Sequence, residues 1–332
     1  MSDKMQRVVL ARTPEGTPVN EDFALQTQPM PRPSQGEVLC QAKYLSLDPY
    51  MRSQIAGRHI SGSITPGDPM LGETVSCVLE SKAEGFKPGD LVRCFGGWSS
   101  HSIHTPKEMF LLGKDFPAPS LALSTLGMPG LTAWAGLHCL ARIKSEDTVV
   151  IPAATGGVGA VAGQLAKACG CQVIGIAGMT QKCRQATEVL GFDACLNRRD
   201  ENLGEELDKA CPQGIDVYFD LVGGPMLTVA SERLAEGGRV LLCGLISEYN
   251  SSERIAGPPP GLWIRARAKV FGLVVYDFED RRQEFLKEVM PLYHDGRLKP
   301  HEDIIEGLAS APEAFCRLMR GENNGKVIVA LS

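Results

Sequence analysis

The sequence predicts an α/β chain in two parts, a β-rich domain and a doubly wound parallel sheet. Two observations carry this. The β-branched run Val149-Val150-Ile151 leads through Pro152-Ala153-Ala154-Thr155 into Gly156-Gly157-Val158-Gly159, and a helix-forming stretch follows as far as Cys169. From about Ser120 onward, short apolar blocks alternate with longer amphipathic ones, whereas the stretch before it is rich in Pro and Gly. Strand, glycine turn and helix in that order make a phosphate-binding turn. Missing Cβ atoms let the backbone approach a pyrophosphate, and the first N–H groups of the helix point at the anion.

In the first part Val38–Tyr44, Gly72–Glu80 and Asp90–Phe95 have the pattern of strands, and Lys87-Pro88-Gly89-Asp90 is a turn by its Pro-Gly chemistry. In the second, strand Thr148–Pro152 precedes helix Gly157–Cys169, and strand Gln172–Ala177 precedes helix Gln181–Leu190. Strand Ala194–Asn197 precedes helix Leu203–Ala210, and strand Ile215–Asp220 precedes helix Met226–Leu234. Strand Arg239–Cys243 ends at Gly244, and strand Lys269–Val275 with helix Arg281–Tyr293 closes the series. Alternation at this spacing implies right-handed β-α-β units over a parallel sheet. Ser247–Ile264, with Gly257-Pro258-Pro259-Pro260-Gly261 inside it, has the composition of a long loop at an active-site rim. Helix Pro312–Met319 and strand Lys326–Leu331 are expected to return to the first domain.

A chain of 332 residues with 43% hydrophobic and 22% charged residues has the size and composition of a two-domain globular enzyme. A net charge of -5 gives no reason to expect nucleic-acid or anionic-membrane binding. No apolar run is long enough to span a bilayer, and Met1–Arg7 has no apolar signal core behind its charges. A cytoplasmic location is expected. The 11 cysteines include no Cys-x-x-Cys, so a zinc ribbon or thioredoxin-like site has no support. Cys40, Cys77, Cys195 and Cys243 sit in apolar runs as small core residues, and reduced thiols are expected.

In NAD-binding turns an acidic residue about 20 positions after the glycines takes the ribose hydroxyls. Here the second strand ends at Ile176-Ala177-Gly178, and Met179-Thr180-Gln181-Lys182 follows with no acid. Lys182, Arg198 and Arg199 supply positive charge instead. That pattern suits an adenosine 2′-phosphate, and NADPH is the expected cofactor. One charge-assisted hydrogen bond, worth roughly 1.5–3 kcal/mol, favours NADPH over NADH tenfold or more. The plainer reading of the same three cations is a set of solvated surface charges.

Seven segments carry a family resemblance: Leu45–Arg52, Leu126–Ala133, Gln181–Asp193, Cys243–Asn250, Gly257–Pro260, Ile304–Leu308 and Asn323–Lys326. Over nearly the whole chain the sequence resembles the medium-chain dehydrogenase/reductase superfamily in its zinc-independent branch. That branch holds leukotriene B4 12-hydroxydehydrogenase/prostaglandin reductases, plant alkenal double-bond reductases and bacterial curcumin reductases. The resemblance implies a GroES-like catalytic domain from residues 1–120 and 300–332, and a Rossmann NADP-binding domain from 121–299. It implies NADPH-dependent reduction of a C=C bond conjugated to a carbonyl, and a homodimer. It places cofactor contacts at Met128, at Thr155, Gly156, Gly157, Val158 and Gly159, and at Gly178, Lys182 and Arg198. Further contacts fall at Cys243, Gly244, Leu245, Ile246, Ser247 and Tyr249, at Leu273, Val274 and Val275, and at Asn323. Two positions depart from the pattern: Arg198 replaces a tyrosine of the animal members, and Leu221 replaces an asparagine.

Zinc enzymes of the superfamily bind metal where this chain reads Leu47-Asp48-Pro49 and Leu71-Gly72-Glu73, without the cysteine and histidine ligands, so no metal site is expected. Conjugate reduction needs less acid than carbonyl reduction. Hydride goes to the β-carbon, enolate charge develops on the carbonyl oxygen, and a proton completes the α-carbon. Tyr50 is the candidate donor to that oxygen, or else a packed tyrosine fixing its loop. Tyr249 is expected at the nicotinamide end. Arg265, at a tyrosine position of the animal and plant enzymes, is either a replacement donor or a surface charge. His59, His101 and His104 show no partner pattern and look like loop or surface residues. Two rival readings stand beside this one, a quinone reductase of the same superfamily and a non-catalytic NADPH-binding sensor or structural protein.

Overall fold

The structure, a computed structural model, describes residues 3–253 and 255–331. It begins with the antiparallel pair β1 (Lys4–Leu10) and β2 (Phe23–Pro29). Next come β3 (Val38–Ser46), helix α1 (Tyr50–Ile55), β4 (Thr74–Ser81), β5 (Leu91–Cys94), β6 (His101–His104) and β7 (Met109–Leu111). Helix α2 (Met128–Trp134) leads to an alternating series: β8 (Thr148–Pro152), α3 (Gly157–Ala168), β9 (Gln172–Ala177), α4 (Thr180–Glu188), β10 (Ala194–Asn197), α5 (Leu203–Ala210), β11 (Ile215–Asp220), α6 (Gly224–Ser231) and β12 (Leu234–Leu242). The chain closes with α7 (Pro260–Ala266), β13 (Lys269–Gly272), α8 (Arg282–His294), β14 (Glu302–Glu306), α9 (Ala311–Arg320) and β15 (Lys326–Ala330).

The chain divides into two units. One runs up to Ser124 and resumes at Glu302; the other is Thr125–His301. In the second unit six strands lie in the order β10-β9-β8-β11-β12-β13, with every pairing parallel. Counted within the unit this is 3-2-1-4-5-6, the order of dinucleotide-binding sheets, and it reverses between β8 and β11. Val149, Val150 and Ile151 are fully buried because helices cover both faces of such a sheet. A glycine inside α3 costs helix stability. Gly163 is there because the Phe192 ring fills its place, 1.9 Å from where a Cβ would stand.

In the first unit seven strands follow the order β14-β15-β3-β4-β5-β7, and β6 pairs with the first half of β3. The late strand β15 lies antiparallel to the second half of β3, with Ile328 opposite Ser46. Val38, Cys40, Val78, Val92 and Cys94 form one apolar cluster of this unit. Phe23, Trp98 and Phe315 form another contact group, with ring centroids 5.6–6.0 Å apart.

Several expected boundaries move. Strand β12 begins at Leu234, not Arg239, so the helix expected over Met226–Leu234 ends at Ser231. Helix α7 occupies the end of the expected Ser247–Ile264 loop: Pro260 stands in its first turn, where the fixed φ and missing N–H of proline suit a helix start. Strand β13 ends at Gly272 rather than Val275, because Val275 begins a 3₁₀ segment that runs to Arg281. Among the described residues no helix is long and apolar enough to cross a membrane.

Candidate functional site

The glycine turn follows β8 directly. Ala153 adopts a left-handed conformation at φ 51°, and the Gly156 N–H donates to its carbonyl at 2.8 Å. Helix α3 starts at Gly157 with no side-chain cap, so the N–H groups of its first turn have no intrahelical acceptor. Those groups sit at the positive end of the helix dipole. A Cβ on Gly159 would lie 2.4 Å from the Ala153 carbonyl oxygen, so only glycine lets α3 pack against the turn. Thr155 is buried beneath the turn, and Gly156, Gly157 and Val158 are half-buried. Met128, the first residue of α2, is half-buried, and its carbonyl accepts the Thr132 hydroxyl at 2.8 Å.

At the neighbouring strand ends, the Arg198 N–H donates to the Ala177 carbonyl at 2.8 Å. Its side chain lies across Gly178, where a Cβ would come 2.9 Å from Nε. Lys182 is in the first turn of α4, half-buried, and no carboxylate occurs between Ile176 and Lys182. The fold therefore gathers Gly178 and Arg198, with Lys182 on the helix that begins beside them.

The loops after β11, β12 and β13 are joined by hydrogen bonds. The Asp220 carbonyl accepts the N–H groups of Cys243 and Gly244 at 3.0 and 3.2 Å. The Asp220 carboxylate accepts those of Val222 and Gly223 at 3.1 and 2.9 Å. Both the N–H and the hydroxyl of Ser247 donate to the Val222 carbonyl, at 3.1 and 2.7 Å. The Leu245 N–H donates to the Tyr249 hydroxyl at 3.3 Å, which folds this loop back on itself. Leu245 is exposed and Ile246 half-buried; Leu273 is buried, its N–H on the Leu242 carbonyl at 2.9 Å, and Val274 and Val275 are half-buried. Burial holds the Tyr249 phenol above its ordinary range and pushes the Cys243 thiol up to about 12, with the Asp220 charge adding to the latter. Burial also raises the Asp220 carboxyl, against the two backbone N–H groups it accepts. Sequence reasoning misses Asp220. Its signal is a carboxylate that ends the run Val217-Tyr218-Phe219 shortly before Gly223-Gly224.

Apart from Met128, these groups follow the carboxyl ends of the parallel strands, where crevices of such sheets take their ligands. Arg265 does not join them. It is exposed on α7, and its guanidinium donates to the carbonyl of Glu232 at 2.5 Å. Glu232 ends α6 just before β12 begins, at the opposite edge of the sheet. In that contact Arg265 acts as a ligand of a helix end, which agrees with the surface-charge reading of this residue.

In the first unit, Tyr50 begins α1 after the segment Leu47-Asp48-Pro49. Asp48 is buried and ion-paired with Lys326 of β15 at 2.9 Å. The Ser46 hydroxyl donates to the same carboxylate, and the Lys326 ammonium also donates to the Leu47 carbonyl at 2.6 Å. Glu73 is engaged in the same way by Arg93, at 2.5 Å. Among the described residues no three His, Cys, Asp or Glu side chains gather where they could hold a metal ion. Asn323 is buried, its amide donating to the Gly325 carbonyl at 2.7 Å in the turn before β15.

A 3-2-1-4-5-6 parallel sheet with a glycine turn after its first strand defines a dinucleotide-binding unit of the Rossmann class. Residues 6–112 match a family model described as the N-terminal domain of oxidoreductase, and residues 157–293 match one described as zinc-binding dehydrogenase. The chain is 40% identical to the NADPH-dependent curcumin reductase of Escherichia coli K12, over 98% of this chain and 97% of that protein. It is 40% identical to prostaglandin reductase 1 of Bos taurus, over 95% of each chain. The crystal structure of CurA in complex with NADPH from Vibrio vulnificus superposes with a TM-score of 0.94 at 38% identity, over 98% of this chain and 99% of that one. The chain belongs to the medium-chain dehydrogenase/reductase superfamily, in the branch of the curcumin and prostaglandin reductases.

Proposed function

We propose that the protein is an NADPH-dependent reductase of the C=C bond of α,β-unsaturated ketones and aldehydes, working without a metal ion. The observation that carries the cofactor assignment is the Arg198 side chain lying across Gly178 at an acid-free strand end. The reductase activities for which the curcumin and prostaglandin reductase relatives are named support the reaction class. The residues present fit the dinucleotide. Gly157–Gly159, at the uncapped start of α3, would hold the pyrophosphate, and Lys182 with Arg198 the 2′-phosphate. Within the same unit, Cys243–Tyr249, Leu273–Val275 and Met128 would complete the binding surface.

When bound, NADPH supplies a hydride for the β-carbon of the substrate. Tyr50 donates its O–H to the carbonyl oxygen as enolate charge grows there, a contact that strengthens toward the transition state. The Tyr249 hydroxyl accepts from the Leu245 N–H and keeps its own proton to give. The active form in this reading is a cytoplasmic homodimer. The edge strand β13, with its exposed Val270, supports the pairing, because a bare edge offers unpaired backbone groups to a second copy.

A panel of enones, enals and quinones tests the reaction, with NADPH consumption followed optically and products identified by mass spectrometry. The expected product of an enone is the saturated ketone, with deuterium from labelled cofactor on the β-carbon. An allylic alcohol, or turnover of quinones alone, would overturn the proposal.

A further inference from the structure

The segment after α1 folds back on that helix. The N–H groups of Gly57 and Ile64 donate to the Gln54 carbonyl at 3.0 and 3.1 Å, and that of Arg58 to the Ser53 carbonyl at 2.9 Å. This return brings the His59 ring onto the Tyr50 ring, with centroids 4.9 Å apart and planes inclined by 28°. Offset stacks of this kind contribute beyond the area they bury.

The imidazole is itself fixed. The Ser61 N–H donates to His59 Nδ1 at 3.2 Å, so Nδ1 carries a lone pair and the neutral ring bears its proton on Nε2. The Ser61 Oγ lies 2.6 Å from the same nitrogen, and the Gln54 amide donates to Oγ at 3.0 Å. The hydroxyl therefore accepts from Gln54 and donates to His59. Gln54 is buried within α1, so the chain of donors runs from the helix that carries Tyr50 back to the ring stacked on it. Burial lowers the pKa of His59, which favours the neutral tautomer this chain requires.

We propose that His59 is a positioning residue for Tyr50: locked by Ser61 and Gln54, its ring holds the tyrosine in the orientation used for hydrogen-bond donation. The proposal rests on the reading of Tyr50 as the donor to the substrate carbonyl. His59 acts through Tyr50 and needs no contact with substrate.

The test is a double-mutant cycle on enone reduction with Tyr50→Phe and His59→Ala, with His59→Phe as the conservative variant. His59→Ala is expected to lower kcat about three- to tenfold, the scale of one aromatic pair. The KM for NADPH should stay within about twofold, and His59→Phe, which keeps the stacked ring but not its bonds to Ser61, should recover part of the rate. In the Tyr50→Phe background, His59→Ala should cost nothing further. Equal losses in both backgrounds, or an unchanged kcat in His59→Ala, would overturn the proposal. A readout independent of turnover separates it from the reaction assignment. In protein labelled with 3-fluorotyrosine, the ¹⁹F resonance lost in Tyr50→Phe should shift in His59→Ala and stay near its place in His59→Phe. If that resonance is indifferent to His59, the positioning role is wrong whatever the substrate. If it responds while no enone is reduced, the positioning stands and the reaction assignment fails.

Discussion

The Asp48 carboxylate and the Lys326 ammonium form a buried ion pair at 2.9 Å, tying the loop that leads into Tyr50 to strand β15. Each is also engaged by a second polar group, Asp48 by the Ser46 hydroxyl and Lys326 by the Leu47 carbonyl. Removing one partner leaves the other charge buried and uncompensated. Lys326→Met is therefore expected to destabilise the protein by about 3–5 kcal/mol. The double variant with Asp48→Asn should regain part of that loss. The urea midpoint is the measurement, and a Lys326→Met protein with the parent midpoint would show that the pair contributes little.

The cofactor preference depends on cations where NAD-binding sheets place an acid. Lys182→Ala and Arg198→Ala should each raise the KM for NADPH about tenfold or more and leave that for NADH nearly unchanged. Steady-state kinetics with both cofactors decide this. Equal use of NADPH and NADH by the parent protein would contradict the assignment.

Gly159→Ala puts a methyl group 2.4 Å from the Ala153 carbonyl oxygen, so the turn or α3 must move. Because the same turn is the proposed pyrophosphate cradle, NADPH binding should weaken by about an order of magnitude or more. Fluorescence titration of NADPH measures the effect, and unaltered affinity would place the pyrophosphate elsewhere.

Cys243 is expected to resist alkylation even though it lies in a proposed cofactor loop. With its pKa near 12, only about one thiol in ten thousand is ionised at pH 8, and the thiolate is the reactive form. The rate with iodoacetamide, read at this cysteine by mass spectrometry, should keep rising about tenfold per pH unit through pH 10. A plateau near pH 9 would mean an ordinary, accessible thiol.

Exhaustive chelation is expected to leave turnover unchanged. Asp48 and Glu73, in the two segments that the resemblance sets against zinc-binding segments of other branches, are each committed to a cation, Lys326 and Arg93. A stoichiometric zinc whose removal abolishes activity would refute this.

Much of the second unit is legible in the sequence for a physical reason. Thr148–Pro152, Gln172–Ala177 and Ile215–Asp220 have predominantly apolar runs at their centres, Val149–Ile151, Val173–Ile176 and Val217–Phe219, and they form strands over those same spans. The first unit is less legible. Its strand β14, Glu302–Glu306, has an acid at each end and Asp303 inside, and it is a strand only because β15 supplies a parallel partner. Proline misleads at Pro260, where it opens a helix and does not prolong a loop. Of the site, the glycine turn and Lys182 follow from local pattern. The Asp48–Lys326 pair joins opposite ends of the chain, the Asp220 contacts span separate loops, and the His59–Tyr50 stack depends on how one loop returns to its helix. No spacing rule shows these.

The position of β15 also orders events during synthesis. Thr125–His301 contains every strand of its own sheet, whereas β3, though it pairs early with β4 and β6, meets its neighbour β15 only after Lys326–Ala330 has been made. Translation normally completes domains from the N-terminal end. Here the earlier-made unit must wait for the later one: a nascent chain can assemble its nucleotide cradle while the loop bearing Tyr50 still lacks the lysine that anchors it.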